Sequence, residues 1–222
     1  MTTNRLGGLC WLLAGPLFLA ANLVTGLGWR RPPYDWTQHN ISDLGNVTCG
    51  RWDTTRPREV CSPWHLLLNS AAVTTGILLA LGVLLAWSAL GRGTAVRVTR
   101  WLVLGAAGGY LLVGLFPADA HENAHVLGAL LIFGSGNLAM PVAALVRRSG
   151  EGDPGGGGAA LAAVRWASVT FGLLGLVGTA LFLAQVDLGF GVGGMERVAV
   201  FPLLGWAAIV GARLLRSADR SR

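Results

Sequence analysis

The chain has no lysine, and charge of either sign is scarce. Charged residues make up 13% of its 222 positions, against about 25% in a typical soluble domain. The few charges are bunched, leaving long stretches with none. Together with 53% hydrophobic residues and a mean hydropathy of +0.55, this excludes a soluble chain. No small-x-small cleavage site follows the first apolar run, so that run reads as an uncleaved span and not as a signal peptide. No ionisable side chain lies in the middle of an apolar run, which leaves ion-coupled transport without support. No internal repeat is found.

What is present is apolar sequence in bilayer-sized pieces. The charge-free runs are Leu6–Trp29, Leu66–Gly91, Trp101–Ala118, Val126–Val146, Trp166–Val186 and Val198–Ala212. A spanning helix takes about 20 residues, and five runs are long enough. The sixth is shorter, but Arg213 can snorkel and let Leu214 and Leu215 extend it to residue 215. The expected fold is an all-α integral membrane protein, a single domain forming a bundle of six transmembrane helices. Ser149–Gly158, rich in glycine, reads as a flexible linker. Gly105 with Gly109, and Gly172, Gly175 and Gly178, read as sites of close helix packing.

With lysine absent, orientation rests on arginine alone. Six spans put the N-terminus, residues 92–100, residues 147–165 and the C-terminal tail on one side, and these hold eleven of the 17 arginines. The positive-inside rule then places both termini in the cytoplasm, with the chain in the plasma membrane. Trp29, Trp64, Trp87, Trp101 and Trp166, near the run ends, suit interfacial belts. The net charge of +6 is accounted for by a basic strip facing anionic lipid heads, so no nucleic-acid partner is called for. The bilayer is the expected partner, and the oligomeric state is left open.

All four histidines (His39, His65, His121 and His125) and eight of the 11 acids fall on the opposite, outer side. A site would therefore open outward, although any wet loop must carry polar groups. The outer loop of residues 30–63 is long for a bare connection. It holds Cys49 and Cys61 on the oxidising side, where a disulfide is expected and two free thiols are the alternative. Within it, His39 and Asp43 make a candidate proton-handling or ligand-holding pair with Ser42 between them. The competing reading is turn formation by Ser42, Asp43 and Gly45, with Asn40 or Ser42 capping a short helix. Asn69 follows His65 at i+4, so both are candidates for the floor of an outward pocket.

His121-Glu122-Asn123-Ala124-His125 matches H-E-x-x-H. On a helix the two histidines would share a face as zinc ligands, with Glu122 as general base. Asp119 stands two residues earlier, as a further candidate ligand-holding group or, with Glu122, as a capping box opening the fourth span after Pro117. No third zinc ligand is marked, Asp187, Glu196, His65 and Asp43 being the candidates. Asn22, Asn137 and Gln185 lie in or near hydrocarbon and call for interhelical hydrogen bonds.

Ile41-Ser42-Asp43-Leu44-Gly45 in the outer loop, Phe116-Pro117-Ala118-Asp119 ending the third span, and His125 with Gly128-Ala129 opening the fourth carry a resemblance. In this order the chain resembles the bacterial family catalogued as domain of unknown function 998. The resemblance covers most of the chain and implies a multi-pass membrane protein, without bringing an activity. A histidine like His125 belongs to that pattern, whereas a preceding His-Glu pair is a departure. Two functions follow as expectations: a protein that binds or moves a small lipophilic or lipid molecule without a cofactor, or a zinc-dependent membrane hydrolase using His121, Glu122 and His125.

Overall fold

Inside a bilayer a charge-free run finds no water for its peptide groups, so it must close its hydrogen bonds along itself. The structure, a computed structural model, describes residues 3–146 and 160–219, and in it the runs form six long helices. These are α1 (Thr3–Gly28), α2 (His65–Leu85), α3 (Thr94–Leu115), α4 (Glu122–Ala144), α5 (Arg165–Leu183) and α6 (Gly191–Asp219). Each is long and apolar enough to cross a membrane. The Ser149–Gly158 linker lies outside the described residues.

The helices close into a ring. α1 packs against α2 and α6, α2 against α3, α3 against α4, α4 against α5, and α5 against α6. Small residues let the backbones approach, as expected where lipid supplies no hydrophobic drive between helices. Where α3 crosses α4, a Cβ on Gly109 would lie 2.6 Å from the Gly128 carbonyl oxygen, and one on Gly128 would lie 2.9 Å from that of Gly109. The α5 stripe Gly172, Gly175 and Gly178 rests against Pro141, Asn137 and Val198. Asn137 makes the interhelical bonds its position calls for, donating to the carbonyls of Gly175 and Ala199 and to the Thr179 hydroxyl.

At the end of the ring where α1 begins and α6 finishes, Gly8 packs on Gly211 and Arg100 is buried. Its guanidinium donates to the carbonyls of Trp87 and Gly91 and lies 4.3 Å over the Trp87 ring. The opposite, loop end carries residues 29–64. These fold as a single 3-10 turn, Ser42–Gly45, and a two-stranded antiparallel hairpin, β1 (Gly50–Trp52) and β2 (Arg58–Val60). A Cys49–Cys61 disulfide closes the hairpin.

Four details depart from the sequence reading. α6, the run that looked shortest, is the longest helix at 29 residues, and 56% of its apolar window is buried, more than in any other span. It begins before Val198 because Glu196 and Arg197 are satisfied by the loop and do not end the helix. α4 starts at Glu122, leaving His121 at the cap position. Trp29 is buried against Tyr34 and His39 and so joins the loop core, whereas Trp64, Trp101 and Trp166 are exposed. Gln185 makes its hydrogen bond within its own segment and not between helices. It is exposed just past the end of α5 in a left-handed conformation (φ 56°), with its amide on the Phe182 carbonyl.

Candidate functional site

The loop end is a built structure, and its parts are held by charge. Asp43 is fully buried and accepts two hydrogen bonds from Arg58, at 2.6 and 2.7 Å, and a third from the Asn40 amide at 2.8 Å. Burial alone would lower the Arg58 pKa, but Asp43 and Asp53 more than reverse this and raise it. Asp53, at the hairpin tip with φ 72°, takes the Thr55 hydroxyl and amide, and these bonds hold its carboxyl down at about 2. Asp119, between α3 and α4, accepts from the amides of Val47 and Thr48 and from the Thr48 hydroxyl. Burial works against its charge, and those bonds overcome it, so its pKa is lowered.

Two residues of α6 complete the fastening. Glu196 accepts the Ile41 amide at 2.5 Å. Arg197 donates to the carbonyls of Trp36, His39 and Gly193 and to the Tyr34 hydroxyl, and it lies over the rings of Tyr34 and Trp36. The α6 N-terminus can receive the loop because Gly191 and Gly193 present no Cβ where the carbonyls of Thr37 and His39 press in.

The turn Ser42–Gly45 thereby becomes the roof of a cavity of about 50 Å³ lined by residues of α1, α2, α3, α4 and α6. A water needs about 10–15 Å³ of such space, so the cavity is a chamber for a few waters or one slender group. Ser42, Asn69, His125 and Glu196 line it near the roof, and Phe18, Ile132 and Phe133 supply apolar walls. Ile132 and Phe133 belong to Leu131–Gly136, where α4 winds as a π-helix, a local widening frequent at functional sites. Asn69 is oriented by its amide donating to the Gly45 carbonyl at 2.9 Å. His125 is oriented from behind, its Nδ1 lying 2.9 Å from the Phe116 carbonyl. A carbonyl only accepts, so Nδ1 carries the proton and Nε2 is left with a lone pair. Tyr110 also lines the cavity. It is fully buried, and its hydroxyl has no hydrogen-bond partner.

The structure thus brings Ser42, Asn69 and His125 together and sends the other candidates elsewhere. His39 is a strut. Its Nδ1 accepts the Asp35 amide at 3.0 Å, its Nε2 therefore donates to the Glu59 carbonyl at 3.0 Å, and its ring stacks on Tyr34. Asp43 is engaged by Arg58, and neither it nor His39 lines the cavity. His65 turns to the Ser62 carbonyl and does not line the cavity. Asp119 ties down the loop instead of forming a capping box with Glu122, and no side chain caps α4.

The H-E-x-x-H residues do not share one helical face, since His121 precedes α4 and packs its ring edge-on to Phe116. Among the described residues no three His, Cys, Asp or Glu groups converge. The donor set does not fit a zinc site.

Sequence reasoning passed over Arg197 and Tyr110 as site residues and had Glu196 only among the possible third zinc ligands. A Glu-Arg pair one residue after Gly191-Val192-Gly193-Gly194 was a usable signal, because two charges bordering an apolar run need partners there. Tyr110 gave none, being one aromatic within an apolar run.

A family model described as "Protein of unknown function (DUF998)" matches residues 12–213. No curated protein and no solved structure matches the chain.

Proposed function

Because the chain belongs to the DUF998 family, whose description names no activity, its function has to be read from the cavity, and we propose that it binds a small lipophilic molecule there. The loop end would face outward, with both termini in the cytoplasm and the chain in the plasma membrane. This follows from the arginine distribution. The observation that carries the binding reading is the pairing of an apolar chamber with an unpartnered Tyr110 hydroxyl in its wall. A buried hydroxyl without a partner costs about 1–3 kcal/mol, and an acceptor oxygen on a bound molecule removes that cost. Ser42, Asn69, His125 and Glu196 would take the polar end of such a molecule, and Phe18, Ile132 and Phe133 its hydrocarbon. A polar rim over apolar walls is the usual make-up of a small-molecule site. Passage of the ligand between bilayer and outer face is the wider form of the same reading.

The test is organic extraction and mass spectrometry of protein purified in mild detergent, comparing wild type with Ala129→Phe, which fills the chamber. A lipophilic compound enriched in the wild type and lost from the variant is the expected result. Identical extracts from two equally stable proteins would refute the proposal.

A further inference from the structure

A second site lies at the other end of the ring. Ala163, Val164, Ile209, Ala212, Arg213 and Arg216 line an open groove of about 440 Å³ between the turn Ala160–Ala163 and the last turns of α6. Arg213 and Arg216 are three residues apart and so lie on one face of the helix. Neither guanidinium has a hydrogen-bond or ion-pair partner among the described residues. That sets them apart from Arg58, Arg100 and Arg197, each of which is spent on carboxylates or carbonyls of its own chain. The remaining walls are hydrocarbon. Ile209, one turn before Arg213, is 38% exposed and leads from the charged pair toward the middle of the span. Trp101 and Trp166, 63% and 82% exposed at the same end, mark the level of the membrane interface.

We infer that this groove seats an anionic phospholipid, with its phosphate on Arg213 and Arg216 and an acyl chain along Val164 and Ile209. Guanidinium forks match phosphate oxygens bidentately. Basic pockets between helices on the cytoplasmic side are a recurrent way of holding anionic head groups. A free phosphate would meet the arginines but leave the apolar walls uncovered, so the occupant is the lipid.

The experiment is native mass spectrometry of the detergent-purified full chain titrated with phosphatidylglycerol or phosphatidylcholine. The wild type is expected to retain one phosphatidylglycerol and no phosphatidylcholine. R213Q/R216Q is expected to weaken retention on the order of tenfold or more, from two arginines near the surface. R92Q/R97Q, which removes two charges elsewhere at the same end, is expected to behave as wild type, and excess inorganic phosphate is expected not to displace the lipid. The proposal is overturned if phosphatidylcholine is held equally well, if R92Q/R97Q loses as much as R213Q/R216Q, or if phosphate displaces the lipid. Circular dichroism establishes that the variants fold. Should R213Q/R216Q not fold, R213K/R216K keeps the charge but loses the fork, and a partial loss is then the expected result, with undiminished binding overturning the proposal.

Discussion

Arg58 and Asp43 are each other's main polar contact in a place with little water, their side chains being 10% and 0% exposed. Removing one partner from such a pair leaves a buried charge uncompensated, which costs about 3–5 kcal/mol. Arg58→Met should therefore destabilise the protein by about 3 kcal/mol, read as a lowered thermal midpoint in detergent. Asp43→Asn combined with Arg58→Met should cost less than the sum of the single changes, because the double variant strands no charge. The depressed carboxyls of Asp53, Asp35 and Asp119 give the loop an acid limit. Each favours its charged form in the folded chain, chiefly through the Thr55 hydroxyl for Asp53 and the Thr37 hydroxyl for Asp35, and for Asp119 through Thr48 and Val47 against the cost of burial. A folded-state pKa below the ordinary value of about 3.9 lends stability that is complete above about pH 4. For Asp53 it is lost as pH falls toward about 2. Pepsin should accordingly cut within residues 46–60 readily at pH 2 and much more slowly at pH 4, as mapped by peptide mass analysis.

At the scale of elements, the hairpin and the helix crossings respond to different changes. The Cys49–Cys61 bridge spans 12 residues, and closing a loop of about that length limits the unfolded chain by about 3 kcal/mol in the chain-entropy account. A Cys49→Ser, Cys61→Ser variant should unfold at lower temperature, with the change confined to the loop end in hydrogen exchange. Gly109→Leu should be more damaging. Its Cβ would meet the Gly128 carbonyl at 2.6 Å, a backbone atom that cannot swing aside, so α3 and α4 must separate along their length. Loss of monodisperse protein in size-exclusion chromatography is the expected outcome.

These elements were unequally visible in the sequence. The runs of α1 to α5 declared themselves because hydrocarbon demands unbroken apolarity from any lipid-facing helix. α6 did not, because its first turns face the loop, where Glu196 and Arg197 find partners and apolarity is not required. Of the site, His125 and Asn69 stood out as polar groups near span ends, and Ser42 as part of a turn in the outer loop. Their company with Tyr110 and Glu196 depends on how the ring closes, and no local pattern encodes that. His121 shows the reverse case: its spacing to His125 suggested a shared face, but the helix begins one residue too late.

For the molecule as a whole, the ring has its built loop, with Arg58 and Arg197, at one end and Arg100, Arg213 and Arg216 at the other, and its expected orientation can be measured directly. A reporter active only in the cytoplasm should work when fused to either terminus, and one active only outside should work when inserted beyond β1. The way the loop is fastened has a further consequence, for the order in which the molecule is made. Ile41 and His39 are held by Glu196 and Arg197, which lie 155 and 158 residues farther along the chain. Synthesis therefore delivers the roof long before its anchors. Until the last helix is inserted, the Ile41 amide and the Trp36 carbonyl lack the partners that α6 brings, and the space among the first four helices lacks the wall that α6 supplies. The chamber is completed by the final span, so a nascent chain stopped before residue 191 would carry most of the cavity-lining residues and still lack the wall that Glu196 and Val200 supply.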